Sequence, residues 1–341
     1  MNNLSVFGKY LDQPRLIGHF AKAVPAILIA GGSAYTIYHV EKTPKKEKRK
    51  EFIKTIAVLT GTITCALLAP KIALKIMKNT HVHAHAHGHC HYHEHEHGAK
   101  IDFGELKEKN TKLINNFLKN NDISIEISDI LNKAKEKVLK FSEIKTLFEK
   151  IWETKQGQGF LNKLIPNPEN IDSKHIFSEI GRISILGLMP VLGGIAGGII
   201  GDKLTDRDWK EKIPDKIKEG SYQYLANIFS CNIGAGVALL ALEKAQITSK
   251  AARATGMIGG ILLMGLVLGS TVANWVGKTF IDSFFNKKNN SERTPEVLDV
   301  SLHVDDVATV AVMSGLKWIE PALPILYSIS GYRAGIGYRN G

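Results

Sequence analysis

Cysteine is scarce in this chain. The three residues Cys65, Cys90 and Cys231 among 341 are too few, too scattered and too odd in number for a disulfide framework. Recognisable catalytic signatures are missing too: there is no nucleophile elbow, P-loop, dinucleotide fingerprint or HExxH motif, and the expectation is a protein that is not an enzyme. Acidic residues are in the minority, Asp+Glu 33 against Lys+Arg 44, for a formal charge of +11. Such a balance can signal nucleic acid. Here, however, the positive charge stands beside apolar segments, where membrane topology places it, and no nucleic-acid partner is expected. The mean hydropathy of −0.05 averages strongly apolar blocks with a Lys- and Glu-rich middle and so conceals both.

What the chain does have is long uncharged runs. Residues 23–38 and 55–70 are about 16 residues each, slightly under the roughly 20 needed to span a bilayer. Lys22, Lys54, Lys71 and Lys75 flank them and can snorkel to the interface. Residues 183–201, 220–242 and 254–277 are uncharged over 19, 23 and 24 residues, longer than most buried helices of soluble proteins. A sixth candidate, 307–332, is interrupted by Lys317, Glu320, Pro321 and Pro324. The small residues near the end of the first run would suit a cleaved leader, but its apolar core begins late, so an anchor is preferred. The fold class read from this pattern is all-α: a polytopic helical membrane protein of 5–6 transmembrane helices, with an extracytoplasmic helical hairpin inserted between spans 2 and 3. The lipid bilayer is its first partner.

The organisation read from the sequence is a two-span hairpin over 1–78, a His-rich tract over 79–100, an amphipathic region over 101–178 and a glycine-rich membrane domain over 179–341. Orientation follows from the short loops. Those at 41–51, 202–219 and 278–302 carry sixteen Lys and Arg, against Lys244, Lys250 and Arg253 in the 243–253 loop and Lys9, Arg15, Arg333 and Arg339 toward the termini. By the positive-inside rule both termini and the long region between spans 2 and 3 lie outside the cytoplasm, and the location is the cytoplasmic (inner) membrane.

Residues 81–97 read HVHAHAHGHCHYHEHEH, with histidine at every odd position: His81, His83, His85, His87, His89, His91, His93, His95 and His97. In an extended strand all nine imidazoles face one way. Neutral imidazole is the commonest metal-ligating side chain. Zinc needs about four ligands at ~2.0–2.3 Å, whereas alternate residues of a strand are about 6.6 Å apart, so the tract must curl to close a site. It can do so in many registers, with Cys90, Glu94 and Glu96 as further ligands. The expectation is several interchangeable, loosely bound divalent transition metals (zinc, nickel, copper or cobalt), rather than one catalytic centre with a fixed second shell. Two other readings stay open: a low-complexity linker, and a pH-responsive tract charging near pKa ~6.5.

The tract resembles the His-rich loops of zinc transporters of the cation-diffusion-facilitator and ZIP families. The resemblance covers only 81–97, about one-twentieth of the chain, and it implies metal handling. It would also imply His and Asp or Glu ligands inside the spans. The nearest match is His303 with Asp306, a single pair that reads better as a solvated helix start with acids near the positive dipole end.

Beyond the tract, Leu106, Leu113, Ile114 and Phe117 mark an amphipathic helix over 103–121. Apolar residues from Ile127 to Ile151 recur every three to four positions, predicting a second helix over 128–155. Its stripe should pack on the first helix; a helical protein partner at 128–155 and the membrane surface are the other options. Gly157, Gly159, Pro166 and Pro168 then read as a linker. Four-residue glycine spacing at Gly193, Gly197 and Gly201, and again at Gly256 with Gly260 and Gly265 with Gly269, lets helix backbones approach closely. Packing between segments three and five is expected, with a homo-oligomer through the glycine stripes as the alternative. Asn227, Ser230, Cys231 and Asn232, with Ser270, Thr271 and Asn274, are the concentrated polar groups of segments four and five. They can line a hydrophilic path or bond across helices. Two functions are therefore carried forward: a membrane protein that handles divalent metal, or a non-transporting membrane scaffold that organises the envelope.

Overall fold

The computed structural model describes residues 3–84, 103–164, 173–247, 250–285, 308, 310 and 317–337. Among these the secondary structure is entirely helical. Five helical stretches are long and apolar enough to cross a membrane: Pro14–Lys42, Lys48–Met77, Ile180–Thr205, Trp209–Lys244 and Ala252–Asp282. They coincide with the five stronger uncharged runs, as expected where no water is present to satisfy backbone groups and each segment must bond internally. Exposed apolar side chains along them, among them Ile29, Ile37, Ile200, Leu263, Trp275 and Phe280, are consistent with contact with a lipid bilayer in a multi-pass protein.

The chain divides into two compact units. The first gathers Met1–Ala23, Lys100–Ile171 and Ser314–Pro321. It contains α1 (Asn3–Leu11), the start of α2 (Pro14–Lys42), α4 (Phe103–Asn120), α5 (Ile125–Ala134), α6 (Phe141–Lys150) and α7 (Lys155–Leu164). Val6, Ile114, Leu131, Ile144, Leu147 and Leu161 are fully buried in one apolar core, and Phe117 stacks on Phe160 at 3.8 Å between centroids. The stripe that would take a partner helix is thus covered by the unit's own side chains.

A single helix over 128–155 is not what forms. The stretch breaks into α5, α6 and the start of α7, because bonds from the N-terminal segment offer a better ending. Gln13 bonds both backbone groups of Leu139. Arg15 donates to the carbonyls of Lys135 and Glu136, just beyond the end of α5. Glu143 then accepts from the Lys140 backbone N–H at 2.6 Å and restarts the chain as α6. Gly157 and Gly159 lie inside α7 rather than in a linker. A side chain at Gly157 would overlap the Ile151 carbonyl, so the corner between α6 and α7 needs glycine there.

The second unit comprises Val24–Ala99, Asp172–Met313 and Ala322–Gly341. Its elements are the rest of α2, α3 (Lys48–Ala84), α8 (Ser173–Thr205), α9 (Ile213–Tyr224), α10 (Cys231–Lys244), α11 (Lys250–Ile261), α12 (Ser270–Val276) and α13 (Leu323–Ile336). A 3-10 turn, Trp209–Lys212, opens α9, and a π-helical segment, Leu225–Ser230, joins α9 to α10 without a break. Two more, Leu262–Gly269 and Gly277–Asp282, flank α12. From residue 317 on, the sixth candidate segment forms a 3-10 turn, Lys317–Ala322, followed by the 14-residue α13; residues 311–316 lie outside the described residues. At ~1.5 Å per residue α13 is about 21 Å long, short of a hydrocarbon core of roughly 30 Å.

The glycine stripes pack inside the chain, but with partners other than those expected. α8 presents two glycine faces. Added side chains at Gly193 and Gly197 would strike the α3 carbonyls of Gly61 and Ala57, and at Gly194 and Gly198 the α13 carbonyls of Gly331 and Gly335. Segment five instead packs on α10, with Gly260 against Gly234 and Gly265 against the Cys231 sulfur. Adjacent glycines fall on different faces of a helix, so the double pair Gly193–Gly194 and Gly197–Gly198 serves two neighbours at once.

Candidate functional site

Most of the histidine tract lies outside the described residues. His81 and His83 continue the backbone of α3, which ends at Ala84, so the tract begins as helix rather than strand. His85, His87, His89, Cys90, His91, His93, Glu94, His95, Glu96 and His97 lie outside the described residues, as do His303, Asp306, Pro166 and Pro168. Among the described residues no group of three or more His, Cys, Asp or Glu side chains is arranged to hold a metal ion.

Within the second unit the chemistry concentrates on α9. Its first seven residues, IPDKIKE, read as the end of a charged loop, yet they begin a helix with Pro214 in its first turn, where a missing N–H costs nothing. Lys216, Lys218, Glu219 and Gln223 are all buried. Two of the lysines counted as free loop charges are therefore paired: Lys216 with Asp202 of α8 at 3.0 Å, and Lys218 with Asp282 at 2.9 Å. Lys216 also donates to the carbonyl of Gly335 at 2.5 Å, placing a cation on the C-terminal end of α13, where the helix dipole is negative.

Around Lys216 an ionic cluster joins four elements. Lys54 of α3 bridges Asp202 at 3.1 Å and Asp206 at 2.6 Å. Asp206, just beyond α8, also takes Lys50 and Lys212. Burial pushes the Asp206 carboxyl up, but hydrogen bonds from Lys212, Lys50 and Lys54 outweigh it and hold the group well below the usual carboxylate range. Beside this cluster lies a cavity of about 310 Å³. Its lining includes Glu51, Asp202 and Asp215 together with Lys54, Lys212 and Lys216, three carboxylates against three ammonium groups.

From α9 the polar face runs on into α10. Gln223 donates to Glu219 at 2.8 Å, and Asn227 donates to Gln223 at 3.0 Å. Asn232 follows, donating to Ser184 of α8 at 3.4 Å. The intervals are four, four and five residues. The five-residue step falls on the π segment, whose i→i+5 turn brings Asn232 back toward the face that an α-helix would have rotated away. Of the polar groups named from sequence, Asn227 and Asn232 join this face. Ser270 instead meets the Tyr222 hydroxyl at 3.0 Å, while Cys231 is fully buried and its thiol points to the Ala226 carbonyl at 3.5 Å. Cys65 is half-buried and packs at Gly193. Sequence reading missed Glu219 and Gln223, although the spacing 216, 219, 223, 227 was the signal that could have found them. Lys216 and Glu219 sit in the expected 202–219 loop, whereas Gln223 and Asn227 lie inside the uncharged run 220–242.

Compared with known protein families, with characterised proteins and with solved structures, the chain has no match.

Proposed function

We propose that this chain is a multi-pass protein of the cytoplasmic membrane that captures divalent transition metal on residues 81–97, outside the cytoplasm, for transport or homeostasis. The observation that carries this reading is histidine at nine alternate positions, tethered directly to a helix long and apolar enough to cross a membrane. Tethering raises the local metal concentration at the membrane surface, and many equivalent registers favour capture and release over permanent retention. The excess of Lys and Arg in the three short loops assigns the tract to the outside. The bonds between Gln13 and Leu139 are in keeping with this, since the two stretches they join must share one side and α2 and α3 supply an even number of crossings between them.

The test is zinc titration of the purified full-length protein and of a variant lacking 81–97, followed by zinc flux into proteoliposomes that contain a zinc-sensitive dye. Binding that disappears with the tract supports capture, and flux that weakens with it adds transport. Equal zinc binding by both proteins would sink the reading and leave a membrane scaffold.

A further inference from the structure

We propose that the end of the second unit where α2, α3 and α8 meet is a binding surface for anionic phospholipid headgroups, with Lys45, Lys46 and Arg49 as its phosphate-binding cations. This surface needs only helices that cross a membrane, and metal capture plays no part in it.

Ion pairs bring that end together. His39 in the last turn of α2 meets Glu51 in the first turn of α3 at 2.8 Å. Lys54 of α3 holds Asp202 and Asp206, at and just beyond the last turn of α8, and Lys50 holds Asp206 as well. The basic loops 41–51 and 202–219, far apart in sequence, therefore adjoin.

The same contacts sort the cations of the two loops. Lys50, Lys54, Lys212, Lys216 and Lys218 are engaged by aspartates of the protein itself, and these include the three lysines of the 310 Å³ cavity. Lys45, Lys46 and Arg49 differ: they are exposed and make no ion pair among the described residues. Lys203 and Arg207, at the adjoining end of α8, are exposed too. The turn that presents the first three is closed by its own bonds, from the Thr43 hydroxyl to the His39 carbonyl at 3.0 Å and from the Glu47 N–H to the Pro44 carbonyl at 2.9 Å. Its cations are thus held in place before an anion arrives, which lowers the ordering cost of binding.

Two aromatic side chains set the depth of this end. Tyr38, next to His39, is exposed and has the Lys42 ammonium 4.4 Å from its ring centre. Trp209, shortly after Asp206, has Lys203 and Lys210 each 5.7 Å from its ring. Rings of this amphipathic kind sit at the headgroup level of a bilayer, and here they mark where the apolar stretches of α2 and α3 end. Clusters of Lys and Arg immediately beyond a span attract anionic lipid. The lipid phosphate is the anion that lies permanently at that depth, whereas a soluble polyanion has to approach across the same headgroups.

The experiment titrates the full-length protein in detergent with phosphatidylglycerol or phosphatidylcholine and counts bound lipid by native mass spectrometry. Wild type is compared with Lys45→Gln/Lys46→Gln/Arg49→Gln, and with a control that removes the same charge from exposed lysines of the first unit, Lys119→Gln/Lys137→Gln/Lys155→Gln. The expected result is a preference for phosphatidylglycerol in wild type and control, reduced about fivefold or more in the first variant. A preference that the first variant changes by less than about twofold, or that both variants reduce equally, overturns the surface. Displacement of the lipid by an equal concentration of glycerol phosphate overturns it in favour of a soluble phosphate. A melting curve checks folding. Should the first variant not fold, acetylation of wild type in liposomes by a membrane-permeant reagent decides: relative to Lys137, Lys45 and Lys46 must react more slowly in phosphatidylglycerol than in phosphatidylcholine, and equal rates overturn the proposal. No readout here involves zinc, so failure of this surface leaves the capture reading standing.

Discussion

Gln13 and Leu139, 126 residues apart, exchange two buried hydrogen bonds: the Gln13 amide donates to the Leu139 carbonyl at 2.9 Å and accepts from its N–H at 2.8 Å. One side chain thus satisfies both backbone groups of a residue in the turn between α5 and α6, where no helix can do so.

Replacing Gln13 with Ala should leave those groups buried and unbonded. A loss of about 1–3 kcal/mol is expected for each group left unsatisfied. Hydrogen exchange should show it as faster exchange across 135–141, with the second unit unaffected. Unchanged protection of Leu139 would refute this role.

The two glycine faces of α8 predict a contrast. Gly194→Ala places a methyl group into the Gly331 carbonyl and should cost about 1–3 kcal/mol as overpacking. Gly181→Ala on the same helix meets nothing within 4 Å and should be neutral or stabilise by up to ~1 kcal/mol through helix propensity. Melting curves in detergent would order the two variants, and equal midpoints would count against the packing described.

Asp206 sets an acid limit. Its carboxyl is held below its ordinary value in the folded protein by Lys212, Lys50 and Lys54, against the opposing effect of burial. The stability it contributes is therefore fully present above the unfolded pKa of about 3.9 and is lost as pH falls below that toward the folded value. Asp206→Asn should lower the melting temperature at pH 7 and flatten its fall below pH ~4. An acid profile parallel to wild type would remove Asp206 from the account.

Cysteine labelling tests the orientation. A membrane-impermeant maleimide applied to intact cells should label Cys90, while Cys231, fully buried against Gly265, stays unlabelled in folded protein. Labelling at position 90 only after the cytoplasmic face is opened would reverse the proposed topology.

What was legible in the sequence follows from what is local. The uncharged runs at 183–201, 220–242 and 254–277 announce membrane-length helices because the bilayer demands an unbroken apolar length and internal backbone bonding. The expectation of metal binding at the alternating histidines rests on ligand type and density alone, and residues 85–97 lie outside the described residues. The period of apolar residues from Ile127 to Ile151 gave helix correctly but not its interruptions, since these are decided by Gln13 and Arg15 from over a hundred residues away.

The sequence by itself therefore determined the helical character of the described residues and the helices long and apolar enough to cross a membrane, because composition and periodicity depend on neighbours along the chain. Only the tertiary structure decided that a lysine-rich stretch becomes the buried helix α9. Lys216 and Lys218 can leave solvent only when Asp202 and Asp282, brought in by other helices, neutralise them. The same holds for the two faces of α8. Glycine spacing permits a close approach, but which carbonyls fill the gap is settled by the helices that arrive there, Gly61 of α3 on one side and Gly331 of α13 on the other.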